Sequence, residues 1–106
     1  MSISTDTAFV HKAWHDNSPA IGHVSFPMAA DPTGTLTRLF GTHIEKEGIS
    51  LRGTFIIDPE GILRFIYVTD LEVGRNVDEV LRVLGALQTG GLTPCNWKPG
   101  DSTLKV

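Results

Sequence analysis

Apolar residues recur at helical spacing near the start of the chain. They are Phe9, Val10, Ala13 and Trp14. This spacing is typical of one face of an amphipathic helix, and the polar residues at 4–6 are all types that cap helix N-termini well. We therefore predict a helix of about three turns that begins at residues 4–6 and ends at residues 17–19.

The next two segments predict a strand and a second helix. Residues 24–30 form a short apolar run that favours a strand, and Pro27 indicates an edge position or an irregular segment. The helix is expected to begin with Asp31 as its cap and Pro32 in its first turn. Its apolar stripe and C-cap are Leu36, Leu39, Phe40 and Gly41. The mixed polar residues 42–50 predict a loop.

The clearest local pattern is a pair of β-rich runs, residues 54–57 and 62–68. They flank Asp58-Pro59-Glu60-Gly61, in which proline and glycine occupy positions that suit a type I turn, so we predict a β-hairpin. Both faces of the second run are apolar. One face holds Ile62, Ile66 and Val68, and the other holds Leu63, Phe65 and Tyr67. Such a strand is either central in its sheet or covered by another subunit.

A strong amphipathic pattern near the end predicts a last helix. Its apolar residues are Val77, Val80, Leu81, Leu84 and Leu87. Asp78 and Glu79 fall in its first turn, where the helix dipole favours negative charge. The two glycines at 90–91 end it, and residues 92–106 show no periodicity. The resulting order predicts an α/β domain with one central sheet and flanking helices. The sheet is incomplete, and its open edge invites pairing with another chain.

Composition and charge restrict the kinds of partner. The chain has 106 residues, 41% of them hydrophobic, and a formal net charge of −3. An acidic balance without a basic run argues against nucleic-acid and anionic-membrane partners. No apolar stretch approaches the ~20 residues needed to span a bilayer, and the first residues do not resemble a signal peptide. We therefore expect a cytoplasmic protein.

Candidate chemistry is sparse. Cys95 is the one cysteine in the sequence, which excludes a zinc site built from several cysteines. By itself it is an inert thiol, a reactive thiol or half of an intermolecular disulfide. His11 and His15 are four residues apart on the first predicted helix, a spacing that can bind a metal. No third ligand is convincingly spaced, so a solvated helix face is the favoured interpretation, and we expect no metal site.

Several blocks together resemble the alkyl hydroperoxide reductase branch of the typical two-cysteine peroxiredoxins. They occur in order over nearly the whole chain, and together they are far more specific than any one of them. The blocks are Ser4-Thr5-Asp6 with His11-Lys12-Ala13-Trp14-His15, Asp31-Pro32-Thr33-Gly34 with Leu36-Thr37-Arg38, residues 52–61, and Pro94-Cys95-Asn96-Trp97-Lys98-Pro99-Gly100.

The resemblance implies a partial thioredoxin-like fold completed by oligomerisation or strand exchange. Residues 1–91 would be the C-terminal part of a peroxiredoxin domain, and residues 92–106 a tail that carries the resolving cysteine. In the family, a Pro-x-x-x-Thr-x-x-Cys loop in the first half supplies the cysteine that attacks peroxide. No such loop occurs in these residues, so we expect the chain alone to turn over no peroxide.

The resemblance also assigns roles to individual residues. Cys95 would be the resolving thiol, Arg52 would stabilise the thiolate and the peroxide, and Trp97 would pack the tail against the body. The matching strand lies at a dimer interface in the family, which implies an interface here. Its residues are Ile62, Arg64, Phe65, Ile66, Tyr67 and Val68.

The implied partners are a second copy in a homodimer or larger oligomer and a thiol or disulfide electron donor, either a flavoprotein or a thioredoxin-like protein. A separate N-terminal half is a further candidate, and no cofactor is implied. Two alternatives stay open. The chain is an inactive oligomerisation module, or Cys95 acts with Arg52 as a one-cysteine peroxidase.

Overall fold

A computed structural model describes residues 1–105; Val106, the last residue of the predicted tail, lies outside the described residues. The described chain alternates short strands with helices. In order the elements are β1 (Ser2–Ser4), α1 (Ala8–Asn17), α2 (Pro19–Gly22), β2 (Met28–Ala30), α3 (Thr35–Leu39), β3 (His43–Ile44), β4 (Ile49–Ser50), β5 (Arg52–Ile57), β6 (Leu63–Thr69) and α4 (Val77–Thr89). They divide between two compact units, Met1–Gly53 and Thr54–Val106.

In the first unit, β1 and β2 pair in parallel, with Ile3 opposite Ala29. The predicted first helix is present, but its cap differs from the prediction. Thr7, and none of residues 4–6, accepts the N–H of Val10 through its side chain and caps α1. The predicted end is confirmed, since Ser18 is the C-cap of α1.

The sequence pattern missed one helix and overestimated one strand. Ser18 also caps the short helix α2, which begins at Pro19 and uses the proline in its first turn. The strand predicted over residues 24–30 is limited to β2, which begins directly after Pro27. Proline lacks an N–H for the ladder, which agrees with its place outside the strand.

The second predicted helix starts later than expected, because Gly34 rather than Asp31 is the N-cap of α3. Asp31 still contributes, since its buried carboxylate accepts the N–H of Thr37 at 2.9 Å. Gly41 follows α3 with φ of 76°, the left-handed conformation typical of a residue that ends a helix. The predicted loop at 42–50 contains a small antiparallel pair, β3 and β4.

The predicted hairpin of β5 and β6 is present, and all of it except Arg52 and Gly53 belongs to the second unit. The turn is closed by hydrogen bonds from the Gly61 N–H to the Asp58 carbonyl and from the Asp58 N–H to the Ile62 carbonyl, both 2.9 Å. Asp58 further accepts the N–H groups of Glu60 and Ile62 on one carboxylate oxygen. The side chain of the first turn residue therefore holds the turn that its sequence predicted.

Helix α4 follows with Asn76 as its cap and Gly90 in the left-handed conformation at its end. Beyond it, the Leu104 N–H donates to the Leu92 carbonyl at 2.7 Å, which closes a loop over residues 92–104. We call this segment the Cys95 loop.

The α/β class is confirmed, but the strands differ from one central sheet. Among the described residues they form three two-stranded sheets. Strands of two or three residues, such as β1 to β4, offer too few hydrogen bonds and too little apolar surface to extend a sheet by themselves. No helix in residues 1–105 is long and apolar enough to cross a membrane.

Candidate functional site

Cys95 lies on the Cys95 loop with its thiol free and the residue exposed. The next residue, Asn96, has φ of 60°, and asparagine is one of the few non-glycine residues that adopts this conformation readily. The chain therefore turns sharply directly after the thiol. This turn sends Trp97 inward while Cys95 stays at the surface.

Trp97 anchors the Cys95 loop. It is 3% exposed and is the one apolar residue in the described chain that counts as buried. Its indole N–H donates to the Asp101 carbonyl at 3.0 Å, and its ring lies beside Gly85 of α4, where an added Cβ would be 3.8 Å from two ring atoms. The expected packing of the tail by Trp97 is thus present within the second unit.

Arg82 of α4 joins the helix to the Cys95 loop. Its Nη1 donates to the Trp97 carbonyl at 3.1 Å, while Nε and Nη2 donate to the two oxygens of Glu79 at 2.7 and 2.8 Å. The hydrogen bonds from Arg82 lower the pKa of the Glu79 carboxyl, and the bonds to Glu79 raise the pKa of Arg82. Both groups are therefore charged at neutral pH, and the pair is fixed by a bidentate fork.

The two residues assigned to peroxide chemistry lie in different units. Arg52 is exposed and opens β5 in the first unit, and Cys95 belongs to the second. Each is at the surface of its own unit.

The predicted interface strand presents one well-exposed apolar face. Ile66 is 59% exposed, and Ile62 and Val68 on the same face are also exposed. On the other face, Phe65 and Tyr67 are half-buried with ring centroids 6.1 Å apart. β6 is therefore partly covered on one side, although Leu63 there is 45% exposed, and more open on the other. The interface stays a prediction.

The two histidines of α1, which were predicted on a solvated face, differ in exposure. His11 is 7% exposed, and its Nε2 lies 2.5 Å from Ser4 Oγ. His15 is more open, with Nε2 3.2 Å from the Val24 carbonyl. The interpretation was wrong for His11, because α1 turns that side toward β1. In residues 1–105 no group of three or more metal-binding side chains is suitably placed.

A third polar cluster surrounds α3. Thr37 Oγ1 lies 2.9 Å from His43 Nδ1, and the Asp31 carboxylate receives the Thr37 N–H. Burial raises the pKa of Asp31, but the N–H groups of the first turn of α3 more than offset it, so that pKa falls below its ordinary value. These hydrogen bonds join side chains to the backbone and to each other, so the role of the cluster is structural: it holds α3 against β3.

Sequence reasoning missed Arg82 as a residue of the Cys95 neighbourhood. The only signal was the spacing of Glu79 and Arg82, three residues apart on a predicted helix, which favours an ion pair. The contact with the Trp97 carbonyl depends on how the Cys95 loop returns to α4, which no local pattern shows.

Comparison with known proteins gives the same assignment for nearly the whole chain. The AhpC/TSA family profile matches residues 1–66. The alkyl hydroperoxide reductase C of Pseudomonas aeruginosa is 46% identical over 96% of this chain and 57% of its own length, and that of Escherichia coli K12 is 44% identical over 97% and 58%. The chain belongs to the AhpC/TSA family.

Solved structures of this peroxiredoxin family share the fold. Reduced 2-Cys peroxiredoxin from Plasmodium vivax superposes with a TM-score of 0.87 at 31% identity, over 97% of this chain and 56% of that one. Enterococcus faecalis AhpC gives 0.78 at 43% identity, over 83% and 53%. The predicted partial thioredoxin-like peroxiredoxin fold is confirmed. The chain spans somewhat less than 60% of the length of these relatives.

Proposed function

We propose that this chain is the resolving-cysteine portion of a peroxiredoxin-type thiol peroxidase that reduces hydrogen peroxide and alkyl hydroperoxides. One observation carries the proposal. The family resemblance extends over 96% of the chain, and within it the cysteine that matches the resolving position is an exposed free thiol on a closed surface loop. Residues 1–91 serve as part of the domain and residues 92–106 as the tail that presents the thiol.

The chemistry needs two thiols. A thiolate attacks one peroxide oxygen, the O–O bond breaks, and the departing oxygen leaves as water or an alcohol while the sulfur becomes a sulfenic acid. Cys95 attacks that sulfur, an S–S bond forms, and the sulfenic hydroxyl leaves as water with the Cys95 proton. A dithiol or flavoprotein donor then supplies two electrons and two protons to restore both thiols.

Because the 106 residues contain one cysteine, the attacking thiol in this proposal comes from outside them. It belongs to a further segment or to a separate N-terminal half. Arg52 is assigned to that site, where its guanidinium favours the thiolate and stabilises the charge that develops as the O–O bond breaks.

The test restores the first half of the domain. The segment of the Pseudomonas aeruginosa relative that precedes the matched region is fused to Met1, and the reduced fusion receives one equivalent of hydrogen peroxide without reductant. We expect a disulfide through Cys95, seen on non-reducing gels and by mass spectrometry. In the Cys95→Ser fusion a sulfenic acid should accumulate instead and react with dimedone.

Arg52→Ala in the fusion should slow sulfenic acid formation by about 10²-fold, the typical loss when one charge-stabilising donor is removed. Arg38→Ala is the control, since Arg38 pairs with Glu45 and has no assigned chemical role. A disulfide that forms equally well without Cys95 would contradict the proposal. Peroxide turnover by the 106-residue chain with dithiothreitol, lost in Cys95→Ser, would favour the one-cysteine alternative.

A second candidate function is a catalytically inactive oligomerisation module. The exposed apolar face of β6, with Ile62, Ile66 and Val68, favours it. This function requires self-association but no thiol chemistry, so a fusion that associates yet forms no sulfenic acid would favour it over the peroxidase.

A further inference from the structure

The Cys95 loop is held to α4 by a hydrogen bond in addition to the packing of its apolar anchor, Trp97. The Trp97 ring packs by contact with Gly85, but the loop backbone is held by the Arg82 guanidinium, which reaches the Trp97 carbonyl at 3.1 Å. The bonded carbonyl is two residues from Cys95. A change at Arg82 therefore acts on the loop backbone next to the thiol.

Glu79 fixes Arg82 in the position that this contact needs. Its two oxygens receive Nε and Nη2, so the guanidinium plane is set by two bonds on the helix, and Nη1 donates to the loop. A guanidinium held in this way loses little side-chain entropy when it binds a second partner. The helix thus presents a preorganised donor to the Cys95 loop.

Disulfide formation requires the backbone near Cys95 to approach another chain closely. The two Cα atoms of a disulfide lie about 4.4–6.8 Å apart. An exposed thiol is therefore not sufficient, since Cys95 is followed by the turn at Asn96 and by the buried Trp97. As long as the loop stays on α4, its backbone is restrained by these neighbours, and an approach to a large partner is limited by how often the loop comes off the helix.

We propose that Arg82 is a positioning residue that acts as a latch: its bond to the Trp97 carbonyl sets how often the Cys95 loop leaves α4, and so how fast Cys95 reaches a sulfur on a large partner. The partner class is a protein-borne electrophilic sulfur, as in a sulfenic acid or a disulfide. The biological consequence rests on the proposed function, but the latch itself is a property of this chain alone.

The experiment compares two reagents on the reduced 106-residue chain. Dipyridyl disulfide in solution is small enough to reach Cys95 on the closed loop, and a pyridyl disulfide immobilised on agarose needs the loop to extend. Arg82→Ala should react with the immobilised reagent at least about tenfold faster, as expected for loss of one charge-assisted hydrogen bond, and as fast as the unsubstituted chain with the small one. Hydrogen exchange should increase at the Leu104 amide, which bonds Leu92, and stay unchanged in the middle of α4.

Arg38→Ala is a closely matched control. Arg38 also forks onto a carboxylate, Glu45 at 2.9 and 3.1 Å, and donates to a backbone carbonyl, that of Thr33 at 2.7 Å. It lies in the first unit, so it should leave both reactions of Cys95 unchanged.

Arg82→Lys is the second variant and keeps the charge without the fork. It should also speed the reaction of Cys95 with the immobilised reagent. If Arg82→Ala fails to fold, Arg82→Lys alone tests the latch. Unchanged rates in the folded variants would overturn the latch, as would equal acceleration with both reagents or with Arg38→Ala. No peroxide or second chain is used, so this outcome is separate from failure of the proposed peroxidase.

Discussion

At the scale of single residues, two glycines with the same backbone angle offer a clean comparison. Gly34 and Gly41 both have φ of 76°. A Cβ at Gly34 would lie 2.5 Å from a ring carbon of His43, whereas a Cβ at Gly41 would meet nothing within 4 Å. The two sites therefore separate the cost of the left-handed backbone from the cost of a collision.

We predict that Gly41→Ala lowers the free energy of unfolding by about 1–2 kcal/mol, the cost of a left-handed residue with a side chain. Gly34→Ala should lose a further ~1–3 kcal/mol, since His43 must move and its bond to Thr37 is disturbed. Urea unfolding followed by circular dichroism measures both. Equal losses at the two positions would show that the ring of His43 moves aside without penalty.

Residue type located the start of each helix approximately but did not identify the residue that caps it. Ser4, Thr5 and Asp6 were plausible caps, yet Thr7 caps α1. Asp31 was predicted as a cap and does accept an N–H of the first turn of α3, but from outside the helix. Several neighbouring polar residues can satisfy the same N–H groups, and the approach of the preceding chain decides among them.

At the scale of elements, β6 carries the main prediction about assembly. Its face with Ile62, Ile66 and Val68 is exposed in the described chain, and burying such side chains is worth about 1.5–3 kcal/mol each. We therefore predict a homodimer or larger oligomer that covers this face.

Ile66→Lys should weaken self-association at least about tenfold, which corresponds to ~1.4 kcal/mol, because the apolar contact is lost and a charge is buried. Analytical ultracentrifugation across micromolar concentrations measures it. Ile57→Lys on β5 is the control, since Ile57 is 52% exposed against 59% for Ile66. A wild-type chain that sediments as a monomer throughout this range would count against the interface.

Elements with a strong internal pattern were predicted well. The hairpin and α4 are present where expected, because turn chemistry and apolar spacing act within a few residues. The pairs β1 with β2 and β3 with β4 were not predicted as such. Their strands have two or three residues each, too few to show a period. β1 and β2 pair only because distant chain segments meet, whereas β3 and β4 are separated by four residues.

At the scale of the whole molecule, the carboxylates predict acid sensitivity. Five of them have a folded-state pKa below the ordinary value of 3.8 for Asp or 4.5 for Glu. They are Asp16, Asp31, Glu45, Asp58 and Glu79. The causes are local, such as the Ile62 N–H and then Arg64 at Asp58, and Arg38 at Glu45. The folded chain therefore binds fewer protons than the unfolded chain in mildly acidic solution.

The sign follows from this difference. Stabilisation by a group with a lowered pKa is complete above its unfolded pKa and is lost as the pH falls through the folded value. We predict that the urea midpoint is steady from pH 7 to about 5 and declines below ~4.5. Asp58→Asn should start lower at pH 7 and decline less steeply. A midpoint that holds constant down to pH 3 would contradict the prediction.

The sequence by itself determined the family and the α/β class, and it named the candidate chemical groups, whose roles stay predictions. It could do so because motifs, turn residues and apolar spacing are properties of neighbouring positions. The tertiary structure decided the rest: that His11 is buried near Ser4, that β1 pairs with β2, and that Arg82 reaches the carbonyl of Trp97. Each of these contacts depends on how one element packs against another, and no pattern within a single element contains it.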